Sequence, residues 1–190
     1  LWILVKRPYS GAFKEAGAVF LSLMVGASIS LIGQTYNITA DADTFTLAWM
    51  FLIIPLTYLM QASLPTAIYL IGITVWTGMQ FNQPLKAILF WPMAALVLPH
   101  FIWAIRRQVY ALRTGLLCLV MIICLSFGVS FTLGKTWSGF WVVIFPSLYA
   151  TLYFLGCVKV SSATTNWQKP LRLIGSLALF ILAYVFTFRP

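Results

Sequence analysis

LRTGLLCLVMIICLSFGVSFTL, residues Leu112–Leu133, is the stretch that decides the fold class of this chain. No residue from Thr114 to Leu133 is charged, and a helix needs about 20 apolar residues to cross the hydrocarbon core of a bilayer. Comparable apolar runs recur along the sequence, separated by short clusters of charge. The composition agrees, because 62% of the residues are hydrophobic and only 8% are charged. Soluble domains carry about 25% charged residues, so the sequence predicts an integral membrane protein.

The apolar runs predict an all-α, polytopic bundle that forms a single membrane domain over residues 1–190. Each run is continuous, whereas the strands of a membrane β-barrel alternate between apolar and polar residues. Leu1–Val5 resembles the end of an earlier span, and the chain starts without Met, so a fragment of a longer protein is expected. The seven complete spans predicted are Ala12–Gln34, Thr44–Gln61, Leu64–Met79, Leu85–Ile105, Leu112–Leu133, Phe140–Val158 and Leu171–Phe188.

The basic residues predict the orientation of these spans. When the connections are assigned to alternate sides, one side holds only Lys86, Lys135 and Arg189, together with Asp41 and Asp43. Lys and Arg accumulate in cytoplasmic loops, so the richer side is expected to face the cytoplasm, with the first span starting there. That richer side holds Lys6, Arg7, Lys14, Arg106, Arg107, Arg113, Lys159, Lys169 and Arg172.

The net charge of +9 does not indicate nucleic-acid binding, because the cations flank the spans and form no basic stripe with interleaved aromatic residues. The three cysteines lie inside spans without Cys-x-x-Cys spacing, so no metal site is predicted. The sequence shows no phosphate-binding glycine loop and no catalytic set of side chains. We therefore expect a protein that is not an enzyme and that has no cofactor, with the lipid bilayer as its surroundings.

Small residues recur every four positions along the first span. Residues at this spacing share one face of a helix, and small side chains let a second helix approach closely. Ser22, Gly26 and Ser30 are therefore predicted helix-packing residues, and the partner would be the missing upstream spans or a second copy of the chain. A membrane assembly protein with no substrate is the alternative function that this pattern supports. The complete ridge is Ala18, Ser22, Gly26, Ser30 and Gln34.

The ridge leads into the most polar stretch near the membrane, residues 33–44. Gln34, Tyr36 and Asn37 offer several hydrogen-bond donors and acceptors, and Asp41 follows closely. One interpretation is a site, made of these four residues, that binds or transports a small polar solute or a lipid headgroup. The other interpretation is an ordinary hydrated loop.

The same stretch leads to three geometric expectations. An unpaired amide in hydrocarbon costs several kcal/mol, so Gln34 is expected to face the bundle interior and to bond a neighbouring span. Tyr36 is expected to pack over the turn between the first two spans. Asp43 or Thr44 is expected to cap the second span.

The segment Gly33-Gln34-x-Tyr36-Asn37-Ile38, with an acidic turn and then Trp49 and Pro55, resembles a family of predicted bacterial multi-pass membrane proteins. That family is catalogued only as a domain of unknown function, and the likeness covers about residues 12–80. The resemblance implies a helical membrane fold and a bacterial inner-membrane location. It implies no activity, cofactor or catalytic residue.

His100 is the only histidine and follows Pro99 in the fourth predicted span. An ionisable residue at membrane depth is a candidate proton relay. No Asp or Glu is expected to be embedded near it, however. The simpler interpretation is a neutral imidazole bonded to a backbone carbonyl that Pro99 frees.

Overall fold

The computed structural model describes residues 11–37, 41–81, 83–107, 112–133, 139–157 and 168–188, excluding the side chains of Pro84, Ile105 and Arg107. Within these ranges the chain is helical and contains no strand. The helices are α1 (Gly11–Thr35), α2 (Ala42–Met60), α3 (Ser63–Met79), α4 (Pro84–Ala87), α5 (Phe90–Ala95), α6 (Leu98–Arg107), α7 (Leu112–Leu133), α8 (Trp141–Cys157) and α9 (Gln168–Phe188).

The all-α membrane bundle predicted from the sequence is confirmed. Five helical stretches are long and apolar enough to cross a membrane: α1, α2, α7, α9 and the combined stretch Leu85–Ala104. The remaining two predicted spans correspond to α3 and α8, which are apolar helices of 17 residues each. The predicted N-terminal stub, Leu1–Val5, lies outside the described residues.

The fourth predicted span is interrupted, and it consists of α4, α5 and α6 in succession. Each of these short helices carries a proline in its first turn, at Pro84, Pro92 and Pro99. Proline is tolerated at those positions because the first backbone N–H groups of a helix have no intrahelical partner. The breaks in this span lie at Pro92 and Pro99, whereas Pro55 and Pro146 lie within continuous helices.

Two tyrosines, the fully buried Tyr69 and the 41% exposed Tyr58, bond backbone carbonyls of the interrupted span. The Tyr69 hydroxyl donates to the carbonyl of Met93 at 3.0 Å, and the Tyr58 hydroxyl donates to the carbonyl of Leu96. A buried carbonyl without a partner costs about 1–3 kcal/mol. The hydroxyls of α2 and α3 thus stabilise the irregular backbone at membrane depth.

Helix α3 is the centre of the bundle, and it contacts α1, α2, α4, α5 and α7. Its residues Tyr69, Leu70 and Ile73 are fully buried in the main core, together with Met50 of α2 and Phe90 of α5. Helices α8 and α9 form a closely packed pair that contacts α7 through α9. Helix α1 packs on α2 and α3.

Candidate functional site

A groove of about 560 Å³ separates the end of α1 from the start of α2. Its polar lining comes from Ser30, Gln34 and Asn37 on the α1 side and from Thr44 on the α2 side. Its apolar walls are formed by Ile29, Ile32, Ala42, Phe45 and Ala48. The groove therefore combines apolar walls with neutral hydrogen-bonding groups at one end.

The end of α1 is fixed by local hydrogen bonds. The backbone N–H of Tyr36 donates to Ile32 O at 3.0 Å, and that of Asn37 donates to Gln34 O at 3.3 Å. Asn37 has φ 49°, a left-handed conformation that asparagine adopts more readily than most residues. This turn ends the helix and places the Asn37 side chain beside Gln34 at the groove.

The start of α2 is fixed by Asp43. Its Oδ1 accepts a 2.8 Å hydrogen bond from the Thr44 backbone N–H, and its Oδ2 accepts a 2.9 Å bond from Gln80 Nε2 at the end of α3. The N-cap position itself is Asp41, whose side chain makes no capping hydrogen bond. The prediction that Asp43 or Thr44 occupies the cap is therefore wrong by two or three positions. The Asp43 carboxylate instead joins α2 to α3.

The structure separates the four predicted binding residues. Gln34 and Asn37 line the groove, whereas Asp41 is exposed outside its lining and Tyr36 is 73% exposed. The prediction that Tyr36 packs over the turn is wrong. A binding role for the four residues stays a prediction.

Gln34 is exposed and does not face a packed interior, and within the described part of the chain its amide has no hydrogen-bond partner. Ser30 is exposed as well. The expectation that Gln34 is buried and bonded to a neighbouring span is therefore wrong. The physical reason is that α1 and α2 are in close contact from Ala18 to Gly26 and separate beyond it, so that the polar end of the ridge opens into the groove.

The rest of the small-residue ridge packs against α2 of the same chain. Ala18, Ser22 and Gly26 are buried, and Trp49 Nε1 donates a 2.8 Å hydrogen bond to Ser22 O. A Cβ atom on Gly26 would lie 2.7 Å from Trp49 Cε2, so the indole requires glycine there. Association through span 1, with upstream spans or a second copy, stays a prediction and would have to use residues other than these three.

A polar cluster that the sequence did not reveal lies at the opposite end of α1. Glu15 is 8% exposed, and its carboxylate accepts hydrogen bonds from the backbone N–H groups of Ser63 and Leu64 at 2.8 and 2.9 Å. Arg113 Nη1 lies 3.5 Å from Glu15 Oε1. Carboxylates favour helix N-termini because the first N–H groups of a helix are unpaired. Glu15 therefore joins α1 to the starts of α3 and α7.

Buried His100, 4% exposed, lies close to this cluster. The Glu15 carboxylate and the Ala62 carbonyl both act electrostatically on the ring. Its Nε2 has no hydrogen-bond partner among the described residues. The ring packs edge-on against Tyr58 and stacks on Trp103, with centroids 6.0 Å apart in both pairs.

These contacts correct one expectation about His100, whereas its hydrogen bond to a carbonyl freed by Pro99 stays a prediction. An acidic residue, Glu15, is embedded near it, although none was expected. In the sequence, Glu15 resembles a charged residue that flanks the first span, next to Lys14. It lies three residues before Ala18 and seven before Ser22, however, and this spacing places it on the buried face of α1. A proton-relay role for His100 stays a prediction.

The described residues contain no group of three His, Cys, Asp or Glu side chains that could hold a metal ion. Cys118 and Cys124 are buried and Cys157 is exposed, and all three are free thiols.

Residues 1–66 match a family model described as a predicted membrane protein, DUF2157. The predicted family resemblance is confirmed over that range. No curated protein and no solved structure matches the chain. The matched region contains α1, α2 and the start of α3, so it includes both sides of the groove, the Trp49–Gly26 contact and the Glu15–Ser63 hydrogen bond.

Proposed function

We propose that the groove between α1 and α2 binds a small polar solute or a lipid headgroup, and that the chain is not an enzyme. The observation that carries this proposal is the pair Gln34 and Asn37, whose amides line a groove of about 560 Å³. Ligand sites combine apolar walls with a few polar groups that orient the ligand. The groove has that composition.

The lining favours a ligand without a net negative charge. Its polar members are neutral amides and hydroxyls, and the nearest ionised groups in the sequence are Asp41 and Asp43. The carboxylate oxygens of Asp43 are already bonded to Thr44 and Gln80. A hydroxyl-bearing or zwitterionic group would find donors and acceptors here without burying an unpaired charge.

A second, apolar groove supports the lipid over the free solute. This groove, of about 510 Å³, runs beside the α1–α2 contact and shares Ile29 and Ile32 with the polar groove. Its other lining residues are Leu21, Met24, Val25, Ser28, Leu52, Pro55, Leu56 and Leu59. A lipid could place its headgroup beside Gln34 and one acyl chain in the apolar groove.

Ligand-dependent thermal stability of the purified protein in detergent tests this proposal. The probes are phosphatidylethanolamine and its water-soluble headgroup, glycerophosphoethanolamine. A ligand that binds the folded state stabilises it by about 2.7 kcal/mol at 100 times its Kd. Gln34→Leu and the groove-filling Ala48→Phe should remove the stabilisation, and Thr35→Val, at the exposed neighbouring residue outside the lining, should keep it. Equal stabilisation of all four proteins, or none of the wild type, would refute the site.

We further propose that the chain lies in a bacterial inner membrane with the Glu15 end in the cytoplasm, as the distribution of Lys and Arg favours. Single cysteines at Ala12 and Ala42, both exposed, test this after Cys157→Ser removes the exposed native thiol. An impermeant maleimide added to intact spheroplasts should label A42C and spare A12C. The reverse pattern would invert the orientation.

A further inference from the structure

A third groove, of about 420 Å³, lies at the start of α9 next to α8. It is lined by two cations, two hydroxyl groups and one leucine: Lys169, Arg172, Tyr153, Ser176 and Leu173. It shares no residue with the groove between α1 and α2. Its chemistry is also different, because the polar groove near Gln34 is lined by neutral side chains.

Close packing of α8 on α9 positions the guanidinium group. A Cβ atom on Gly156 would lie 2.6 Å from Arg172 Cγ and 3.0 Å from the Arg172 backbone nitrogen. The aliphatic part of Arg172 therefore lies directly over Gly156, which restricts where its charged end can go. Long cationic side chains commonly pack their methylene groups on apolar surface in this way.

The two cations have no carboxylate partner in the described part of the chain. The whole sequence contains twelve Lys and Arg residues and three acids. Glu15 pairs with Arg113, and Asp43 bonds Thr44 and Gln80 near the groove at the other end of α1. The residues that precede α9, 158–167, include no Asp or Glu. The two cations are therefore available to an anion from outside the described residues.

The position of the cations in α9 strengthens this point. Lys169 is in the first turn of α9, where the helix dipole disfavours positive charge, and Arg172 is the fifth residue of the helix. Arg113 has a similar position at the start of α7, but there Glu15 compensates it. Topology alone explains why cations are on this side, but it does not explain why two of them line one groove.

We propose that the groove formed by Tyr153, Lys169, Arg172 and Ser176 binds the phosphate group of an anionic lipid. Guanidinium and ammonium groups donate charge-assisted hydrogen bonds to phosphate oxygens, and the Tyr153 hydroxyl can donate another. The Ser176 hydroxyl already donates to Leu173 O at 3.1 Å, so it lines the groove without donating to the phosphate. Basic pockets between membrane helices bind such headgroups in general.

The surface beyond the groove favours a lipid over free phosphate. Leu173, Leu177 and Phe180 are 69%, 62% and 76% exposed, and their spacing places them on one face of α9 that continues from Lys169. An acyl chain lying along this apolar face would keep its phosphate at the level of the two cations. The lipid and the free ligand both carry a phosphate anion, and the experiment below distinguishes between them.

Native mass spectrometry of the detergent-solubilised protein tests the proposal with phosphatidylglycerol, phosphatidylcholine of the same acyl chains, and glycerol 3-phosphate. We expect one phosphatidylglycerol to be retained in preference to phosphatidylcholine, and glycerol 3-phosphate to compete weakly. Near a membrane each cation contributes about a fivefold gain in affinity for anionic lipid. Lys169→Gln should therefore weaken binding about fivefold, and the double variant with Arg172→Gln about thirtyfold.

Arg106→Gln is the matched control, because it removes one exposed cation from α6, outside the groove. It should change retention by less than twofold. Thermal unfolding of each variant establishes that it is folded, and Lys169→Gln remains informative if the double variant is not, since Lys169 is exposed. Equal losses for Arg106→Gln and Lys169→Gln, or equal retention of both lipids by the wild type, would overturn the lipid site. Equal affinity for glycerol 3-phosphate and phosphatidylglycerol would refute a lipid as the ligand and would favour a free phosphate ester.

Discussion

The backbone N–H of Ser63 donates a 2.8 Å hydrogen bond to Oε1 of Glu15, although the two residues are 48 positions apart in the sequence. The same carboxylate accepts a bond from Leu64 and lies 3.5 Å from Arg113. Three helix starts, those of α1, α3 and α7, therefore meet at one buried side chain. Their meeting also agrees with the predicted alternation of spans, which places these starts on the same side of the membrane.

Replacing Glu15 with Ala should destabilise the bundle strongly. The change leaves two backbone N–H groups and the Arg113 guanidinium without their acceptor, at a cost of about 3 kcal/mol. Unfolding with increasing mole fraction of a denaturing detergent measures this loss. Asp41→Ala is the control, because the Asp41 side chain is exposed and makes no capping bond, and it should change stability by about 0.5 kcal/mol or less. Similar losses of stability in the two variants would show that the Glu15 carboxylate does not stabilise the contact of α1 with α3 and α7.

Two glycines of α1 should respond differently to the same substitution. A methyl group on Gly26 would lie 2.7 Å from the Trp49 ring, whereas one on Gly33 would meet nothing within 4 Å. Gly26→Ala should cost about 1–3 kcal/mol because the indole must move, and Gly33→Ala should be neutral or slightly stabilising. The detergent-unfolding midpoints of the two variants give the comparison. A stable G26A protein would mean that α1 does not rest on Trp49.

Tyr69→Phe removes only a hydroxyl group, yet it should lower stability by about 1–3 kcal/mol, since it leaves the buried carbonyl of Met93 unpaired. Tyr36→Phe makes the same chemical change at a 73% exposed residue and should have an effect near zero. Thermal unfolding of both variants in one detergent provides the test. If the two variants unfold at the same temperature, the carbonyl has another partner.

Diethylpyrocarbonate should not modify His100 in the folded protein. The ring is 4% exposed, and the reagent requires access to a ring nitrogen. Because the chain has one histidine, the ultraviolet absorbance of the product reports this residue alone. Rapid modification that disappears in Glu15→Gln would instead show a solvent path to Nε2 controlled by the acidic cluster, as the proton-relay hypothesis requires.

The sequence alone was sufficient to predict the spans. Every predicted span end lies within three residues of the corresponding helix end, because span length and proline position depend on local composition. In the small-residue ridge, Ser22 and Gly26 are buried against α2 of the same chain, and packing on upstream spans or a second copy stays a prediction.

The sequence could not predict which residues meet across the bundle. Glu15 is near Ser63 and Arg113 only because three helices converge, and no local pattern encodes that convergence. Gln34 illustrates the opposite error, because the expectation that its amide is buried required a tightly packed neighbouring helix. The helices separate beyond Gly26, so the amide lies in a groove and avoids the cost of burial.

The interrupted span α4–α6 has a consequence for biogenesis. If α4–α6 entered the bilayer before α2 and α3, the carbonyls of Met93 and Leu96 would be exposed to lipid tails. Their hydrogen-bond donors are the hydroxyls of Tyr69 and Tyr58. Both donors precede the segment in the chain and are therefore synthesised first. Vectorial synthesis thus supplies the two hydroxyls before they are needed, and a circularly permuted gene that places α4–α6 ahead of α2 and α3 should yield protein that the cell degrades.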